Sequence, residues 1–142
     1  MALRGARDRA TKPSPAMGDK QERPYPAWWS ERAAARELLL DRAVARLRDY
    51  LPSVPGVRAA LVFGSYARKS VGPESDLDIM LIRDTEEPPL RRADDVYADM
   101  NLGVPFDLVV YTPAEFERLR RERPFVEQAA REGLWIDAAP SR

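Results

Sequence analysis

The sequence contains no cysteine and no histidine. Without cysteine there are no disulfides and no thiol nucleophiles, and without either residue Ser-His-Asp triads and ordinary zinc sites are excluded. No run approaches the roughly 18 apolar residues of a membrane span, and no signal-peptide core follows the N-terminus. We therefore expect a cytoplasmic protein without membrane contact, in which carboxylates are the only plausible catalytic groups.

An excess of charge of one sign is also missing, because 23 basic residues balance 23 acidic ones in a chain of 142. Overall electrostatic attraction to a polynucleotide is therefore not expected, although a local basic patch stays open. A chain of this length predicts one domain with a modest mixed core.

Residues 1–26 combine basic residues and prolines with no hydrophobic periodicity, which predicts a disordered or loosely attached tail. An Arg-rich targeting peptide is the alternative, but the acidic residues Asp8, Asp19 and Glu22 argue against it. The domain itself is predicted at residues 27–139.

The hydrophobic pattern of that domain predicts the element order α-β-β-α-β-α-α-β, an α/β fold in which helices flank a small mixed sheet. The strands are expected at 57–63, 76–83, 104–111 and 134–136. The first helix is expected to begin at an N-cap on Ser30 and to end near Pro52. Trp28 and Trp29 just before it are expected to be core anchors.

Three further helices are predicted from their caps and inward faces. Gly103 is expected to end the first, Thr112 to cap the second in a capping box, and Pro124 to begin the third. Their expected inward residues are Leu90, Ala93, Tyr97 and Met100 in the first, Phe116 and Leu119 in the second, and Phe125, Val126 and Ala129 in the third. The charged residues of the helix that ends at Gly103, from Arg91 to Asp99, are expected to be solvated surface.

The residues that indicate chemistry lie between two strands of this fold. Gly64 and Ser65 form a tight turn after one strand, and Asp76 and Asp78 open the next. Because side chains alternate along a strand, the two carboxylates project from one side, about 6–7 Å apart. Carboxylates this close repel each other, and a hard divalent cation offsets that repulsion.

The turn itself is suited to a phosphate. Gly64 lets the backbone come close to a ligand, while the Ser65 hydroxyl and nearby N–H groups can bind an anion. The segment from Ser65 to Ser70 is predicted to start a short helix, and Arg68 and Lys69 could add positive charge for a triphosphate. The bland alternative is an ordinary turn before an edge strand, but it would not require Asp78, whose burial is costly unless something binds it.

The Gly-Ser turn, a gap of about ten residues and an Asp-x-Asp inside an apolar strand resemble the signature of the DNA polymerase β-type nucleotidyltransferases, especially their small, single-domain MNT branch. Members of that family often carry Gly where this chain has Lys69. They also take a third carboxylate from a later strand, and Asp107 is the match. The resemblance implies transfer of a nucleoside monophosphate, AMP from ATP, to a hydroxyl. It further implies two Mg²⁺ ions held by Asp76, Asp78 and Asp107, with Asp107 as the candidate proton acceptor.

Small members of this family are often encoded beside a HEPN-domain partner and act as its antitoxin. Because no acceptor-binding domain is evident, we expect the acceptor to be a tyrosine of a HEPN-type ribonuclease. The alternative is a binding protein with a vestigial pocket that acts as an antitoxin by contact alone, although the intact carboxylate trio argues against decay. The acceptor, the preferred base and the oligomeric state stay open.

Overall fold

The computed structural model describes residues 25–138, so all of the predicted tail except Tyr25 and Pro26 lies outside the described residues. Within them the element order is the predicted one. The helices are α1 (Ala27–Tyr50), α2 (Asp94–Asp99), α3 (Pro113–Glu122) and α4 (Pro124–Glu132). The strands are β1 (Val57–Phe63), β2 (Leu77–Arg83), β3 (Phe106–Tyr111) and β4 (Leu134–Asp137).

The strands form one mixed sheet in the order β3-β2-β1-β4. Strand β1 runs antiparallel to both of its neighbours, whereas β2 and β3 are parallel and are joined through α2. Because β1 and β2 lie in the centre, both of their faces must be covered, which explains why their sequences are nearly continuous in apolar residues.

Each face of the sheet has its own apolar core. One face packs against α1, whose buried residues include Leu40, Val44 and Leu47. The opposite face carries Leu61 and Met80 and packs against α3 and α4. Alternation along β2 therefore directs Asp78, like Met80, to the face of α3 and α4, beyond the end of the apolar cluster.

Several predicted boundaries were wrong by a few residues. Helix α1 begins at Ala27 after an extended Pro26, not at a Ser30 cap, so both early tryptophans are helical. Trp29 is buried as expected, whereas Trp28 is 42% exposed and lies against the guanidinium of Arg32. Helix α2 ends at Asp99, before Gly103, and β2 and β3 each start later than predicted.

The inward face predicted for α2 was wrong in part. Leu90 precedes the helix and is 94% exposed, and Tyr97 is half exposed, while Val96 is the buried residue of the helix. Tyr97 stacks on Phe106 and its hydroxyl accepts a hydrogen bond from the Leu108 backbone N–H. The helix has only six residues, too few for a helical period to fix its buried side.

Of the charged residues expected at the surface, Arg92 is buried instead, whereas Asp95 is exposed as expected but forms a structural ion pair. Arg92 is buried and forms a paired contact with the carboxylate of Glu115, and Asp95 binds the guanidinium of the buried Arg83 in the same forked manner. In each pair the arginine lowers the pKa of the carboxyl group that it binds below the usual range. These pairs attach α2 and its preceding loop to the sheet and to α3.

The predictions for the C-terminal part were mostly confirmed. Thr112 and Glu115 form the capping box at the start of α3, and β4 adds the last strand. Phe125 is the exception, because 62% of it is exposed although it was expected to face inward. Among residues 25–138, no helix has the length and apolar character needed to cross a bilayer.

Candidate active site

Strand pairing brings the predicted carboxylates to one end of the sheet. Asp78 pairs in register with Asp107 on the parallel neighbour β3 and with Phe63 at the end of the antiparallel neighbour β1. Paired residues of neighbouring strands project to the same face, so Asp78 and Asp107 lie side by side. Asp76 comes directly before β2.

The neighbouring charges change the pKa of Asp78. Burial raises the pKa of Asp78 above its usual range, and the negative charges of Asp107 and Asp76 raise it further, while Arg68 opposes the shift. A raised pKa means that the ionised form, which a metal ion would bind, is disfavoured without a counter-charge. The three carboxylates predicted from the sequence therefore form one electrostatic group.

Gly64 is held against this group. Its φ is +83°, and a Cβ built on it would fall on Oδ2 of Asp78 and 3.1 Å from the Asp78 Cγ. Only a residue without a side chain fits here, because both the backbone conformation and the neighbouring carboxylate exclude a Cβ. The Gly-Ser turn and the Asp-x-Asp strand are thus two sides of one site.

The segment after Gly64 is a hydrogen-bonded turn rather than the predicted helix. Its N–H groups bond back with mixed spacing, from Arg68 to the Gly64 carbonyl, from Lys69 to the Tyr66 carbonyl and from Ser70 to the Ser65 carbonyl. A helix would require a constant spacing of four residues. Ser65 lies at the start of this turn, next to Gly64, at the position where the sequence predicts phosphate binding.

Tyr66 ties the turn to α1, a role that the sequence did not reveal. Its hydroxyl donates a hydrogen bond of 2.5 Å to Oδ1 of Asp41. Burial and this carboxylate raise the pKa of Tyr66 to about 12, so its hydroxyl stays protonated and remains a donor at neutral pH. A tyrosine one residue after Ser65 carries no sequence signal for this contact, because the partner is distant in the chain.

The loop that leads to Asp76 is also held by α1. The guanidinium of Arg36 donates to the Pro73 carbonyl at 3.0 Å, and Trp29 packs so closely on Gly72 that a Cβ there would lie 3.2 Å from the indole ring. Ser75 accepts a hydrogen bond from the Gly72 N–H. These contacts fix the entry into β2 and with it the position of Asp76.

Of the two basic residues predicted to bind phosphate, the structure brings one to the carboxylates. The positive charge of Arg68 lowers the pKa of Asp78, and Arg68 also lines a recess beside Gly64. Lys69 lines a different recess, with Glu37 and Asp41 of α1. Its φ is +60°, a left-handed conformation that a residue with a Cβ rarely adopts.

This strained conformation predicts the effect of a glycine at position 69. Left-handed backbone costs a residue with a Cβ about 1–2 kcal/mol, and a glycine would remove this cost. Glycine is also freer in the unfolded chain, which offsets about 0.4–1 kcal/mol of the stabilisation. We expect Lys69→Gly to raise the free energy of unfolding by about 0.5–1 kcal/mol in urea melts. Lys69→Val is the opposite control and should lower it; a destabilised glycine variant would contradict the strain argument.

A comparison with protein families supports the chemistry that this geometry indicates. The family model described as "Polymerase beta, Nucleotidyltransferase" matches residues 45–123, more than half of the chain. The matched span contains the Gly64 turn and the three carboxylates. The chain belongs to the polymerase β nucleotidyltransferase family.

The fold of this nucleotidyltransferase is similar to one already solved. The crystal structure of a candidate nucleotidyltransferase from Sulfolobus solfataricus matches with a TM-score of 0.50 and 23% sequence identity, covering 72% of this chain and 85% of the other. At that identity the likeness concerns the fold. A search of curated proteins gave no significant match.

The carboxylates of the nucleotidyltransferase suit a hard divalent cation in donor type, because Asp76, Asp78 and Asp107 offer only oxygen atoms. Their mutual repulsion is the kind of charge imbalance that such an ion relieves. Among residues 25–138, however, no three acidic, His or Cys side chains are gathered closely enough to hold an ion. Metal binding would therefore require these side chains to converge further.

Proposed function

We propose that this nucleotidyltransferase moves AMP from ATP to a hydroxyl group in a Mg²⁺-dependent reaction. The observation that carries the proposal is the strand register that sets Asp78 beside Asp107, with Gly64 against the Asp78 carboxylate. Carboxylates that repel one another next to a turn suited to phosphate fit the binding of a metal–triphosphate complex.

Each residue has a defined task in the proposed reaction. Asp76, Asp78 and Asp107 would hold Mg²⁺, which when bound neutralises the triphosphate and lowers the pKa of the attacking hydroxyl. Gly64 and Ser65 bind the phosphates through backbone N–H groups and the hydroxyl. The acceptor oxygen bonds to the α-phosphorus, the bond to pyrophosphate breaks, and Asp107 accepts the hydroxyl proton.

Asp107 is the natural proton acceptor because it is the most exposed carboxylate of the trio, on the edge strand β3. An acceptor group can reach it from solvent without displacing the chain. Asp78, by contrast, is half-buried between β1 and β3. This difference divides the site into an inner part for the nucleotide and an outer part for the acceptor.

Asp107→Asn tests this division. The variant should keep substantial ATP binding, because Asp76 and Asp78 still hold the metal on the triphosphate, but it should lose about 10²–10⁴ in transfer rate with its general base. Calorimetry with ATP and Mg²⁺ gives the affinity, and pyrophosphate release gives the rate. A loss of ATP affinity as large as that of Asp78→Asn would show that the roles are not divided in this way.

For the acceptor we propose a tyrosine of a HEPN-type ribonuclease partner. The chain is neutral overall, which disfavours a polynucleotide acceptor, and within residues 25–138 no separate acceptor-binding domain accompanies the sheet. A partner protein would bring its own contact surface to the site. Trp28 and Trp135, 42% and 40% exposed, are available for such a contact.

The experiment is to incubate the protein with ATP, Mg²⁺ and the product of its neighbouring gene, and then to weigh that product by intact-mass spectrometry. We expect one or more added AMP groups on tyrosine, absent with Asp78→Asn and present with Asp49→Asn, which removes an exposed charge of α1. A partner that is bound and inhibited but unmodified would replace the transfer proposal with an antitoxin that acts by contact alone.

A further inference from the structure

A recess with a cavity volume of about 80 Å³, partly open to solvent, lies between α4 and the Gly64 turn. This volume is well below the roughly 300–1,000 Å³ of enclosed small-molecule sites, so the recess can receive only part of a ligand, such as one flat ring. The residues that matter for its chemistry come from β1, the turn and α4: Phe63, Gly64, Arg68, Phe125, Gln128 and Glu132. Nothing in the reaction described above uses the α4 side of this recess.

The recess borders the Asp78 carboxylate through Gly64. Gly64 forms part of its wall and at the same time contacts the Asp78 carboxylate. Arg68 also lines it, and the positive charge of Arg68 acts on Asp78. A nucleotide whose phosphates lie at the turn can therefore extend its remaining part into this space, on the side away from Asp107.

The aromatic wall of the recess is exposed. Phe125 remains 62% exposed although it belongs to the first turn of α4, and its ring meets Phe63 edge-on, with centroids 5.5 Å apart at 82°. An edge-on contact covers at most one face of a ring, so at least one face of Phe125 is left for another ring. Stacking on such a face is tolerant of base identity, because every base has a π-face.

Two polar side chains of α4 supply hydrogen-bonding groups beside this ring. The Gln128 amide donates to the Glu132 carboxylate over 3.3 and 3.4 Å, near the upper limit for a hydrogen bond. Such long bonds are readily exchanged for better ones. The Glu132 carboxylate can accept from the exocyclic amino group of a base, whereas uracil has no such donor.

We propose that this recess binds the base of the donor nucleotide, with Phe125 as its stacking platform and Glu132 as the acceptor for an exocyclic amino group. The inference rests on the proposed nucleotidyl transfer and adds the base-binding part of the same site. It makes α4 the element that selects the nucleotide, separate from the turn that holds the phosphates.

The test compares MgATP with Mg-tripolyphosphate, which has the phosphates but no base, by calorimetry. Phe125→Ala should weaken MgATP binding about tenfold and leave Mg-tripolyphosphate binding unchanged, and Phe125→Tyr should restore MgATP binding. Leu90→Ala is the matched control, because it removes another exposed apolar side chain far from the turn along the chain. Wild type should prefer MgATP to MgUTP by about tenfold, and Glu132→Ala should abolish that preference.

The outcomes separate this inference from the proposed function. If wild type binds MgATP but Phe125→Ala binds it equally well, or if wild type binds MgATP and MgUTP equally, the base site is wrong while the transfer proposal stands. If wild type binds neither MgATP nor Mg-tripolyphosphate, both are overturned. Equal weakening of both ligands by Phe125→Ala would place Phe125 at the phosphates and would also overturn the base site.

Discussion

Asp78→Asn is expected to reduce Mg²⁺-dependent nucleotidyl transfer by about 10³-fold, equivalent to about 4 kcal/mol of transition-state stabilisation. The substitution keeps the shape of the side chain but removes the charge that lies between Gly64 and Asp107. Asp76→Asn should have a comparable effect, because its carboxylate belongs to the same electrostatic group. Pyrophosphate release under saturating ATP and Mg²⁺ measures both.

The same variant should fold at least as well as wild type. Burial and two neighbouring carboxylates raise the pKa of Asp78, so in the absence of metal the folded state holds a proton that the unfolded state releases at lower pH. The free energy of unfolding therefore falls as pH rises from the unfolded pKa through the raised one. Asp78→Asn should lack this part of the pH dependence in urea melts with EDTA.

Asp49→Asn is the matched control for both measurements, since it removes an exposed carboxylate of α1. It should leave transfer unchanged and should retain the pH dependence of unfolding. Wild-type turnover in either Asp76→Asn or Asp78→Asn would show that the metal site has been assigned to the wrong residues. A strongly destabilised Asp78→Asn protein would instead show that the carboxylate has a structural role.

Gly64→Ala is expected to lower the free energy of unfolding by about 2–4 kcal/mol, the sum of the left-handed backbone cost and of overpacking. The new Cβ would sit at φ +83° and on the Asp78 carboxylate, so the turn or the strand must move. Because that movement displaces Asp78, transfer should be lost together with stability. Urea melts and pyrophosphate release measure the two effects.

Gly103→Ala separates the cost of the left-handed backbone from the cost of overpacking. Gly103 has nearly the same backbone, φ +79°, but the added Cβ would meet only the far end of the flexible Arg46 side chain, at 2.7 Å. It should cost about 0.5–1 kcal/mol, because the loss of glycine's freedom in the unfolded chain offsets part of the left-handed backbone cost, and it should leave transfer intact. In an Asp78→Ala background the cost of Gly64→Ala should fall toward that of Gly103→Ala. Equal costs in the two backgrounds would contradict a steric contact between Gly64 and Asp78.

Sequence patterns predicted the element types and the order of the fold, because these depend on neighbours within a few residues. The continuous apolar runs of β1 and β2 and the capping box at Thr112 are of this kind. The same reasoning failed where the periodic segment was short. In the six-residue α2 and in the turn after Gly64, contacts from distant parts of the chain decide the conformation.

For the candidate site, the sequence by itself determined the residue types and the local spacing of Gly64, Ser65, Asp76 and Asp78, since these lie on one strand–turn–strand segment. The assignment of Asp107 came through a family resemblance, and only the strand order showed that it lies beside Asp78.

Tertiary structure alone decided the rest. It directed Arg68 toward Asp78 and Lys69 toward another recess, placed Tyr66 on Asp41, and left Phe125 exposed beside Gly64. The physical reason is that the side on which a turn residue projects, and the exposure of a residue in the first turn of a helix, depend on what packs against them. Those neighbours are distant in sequence, so no local pattern records them.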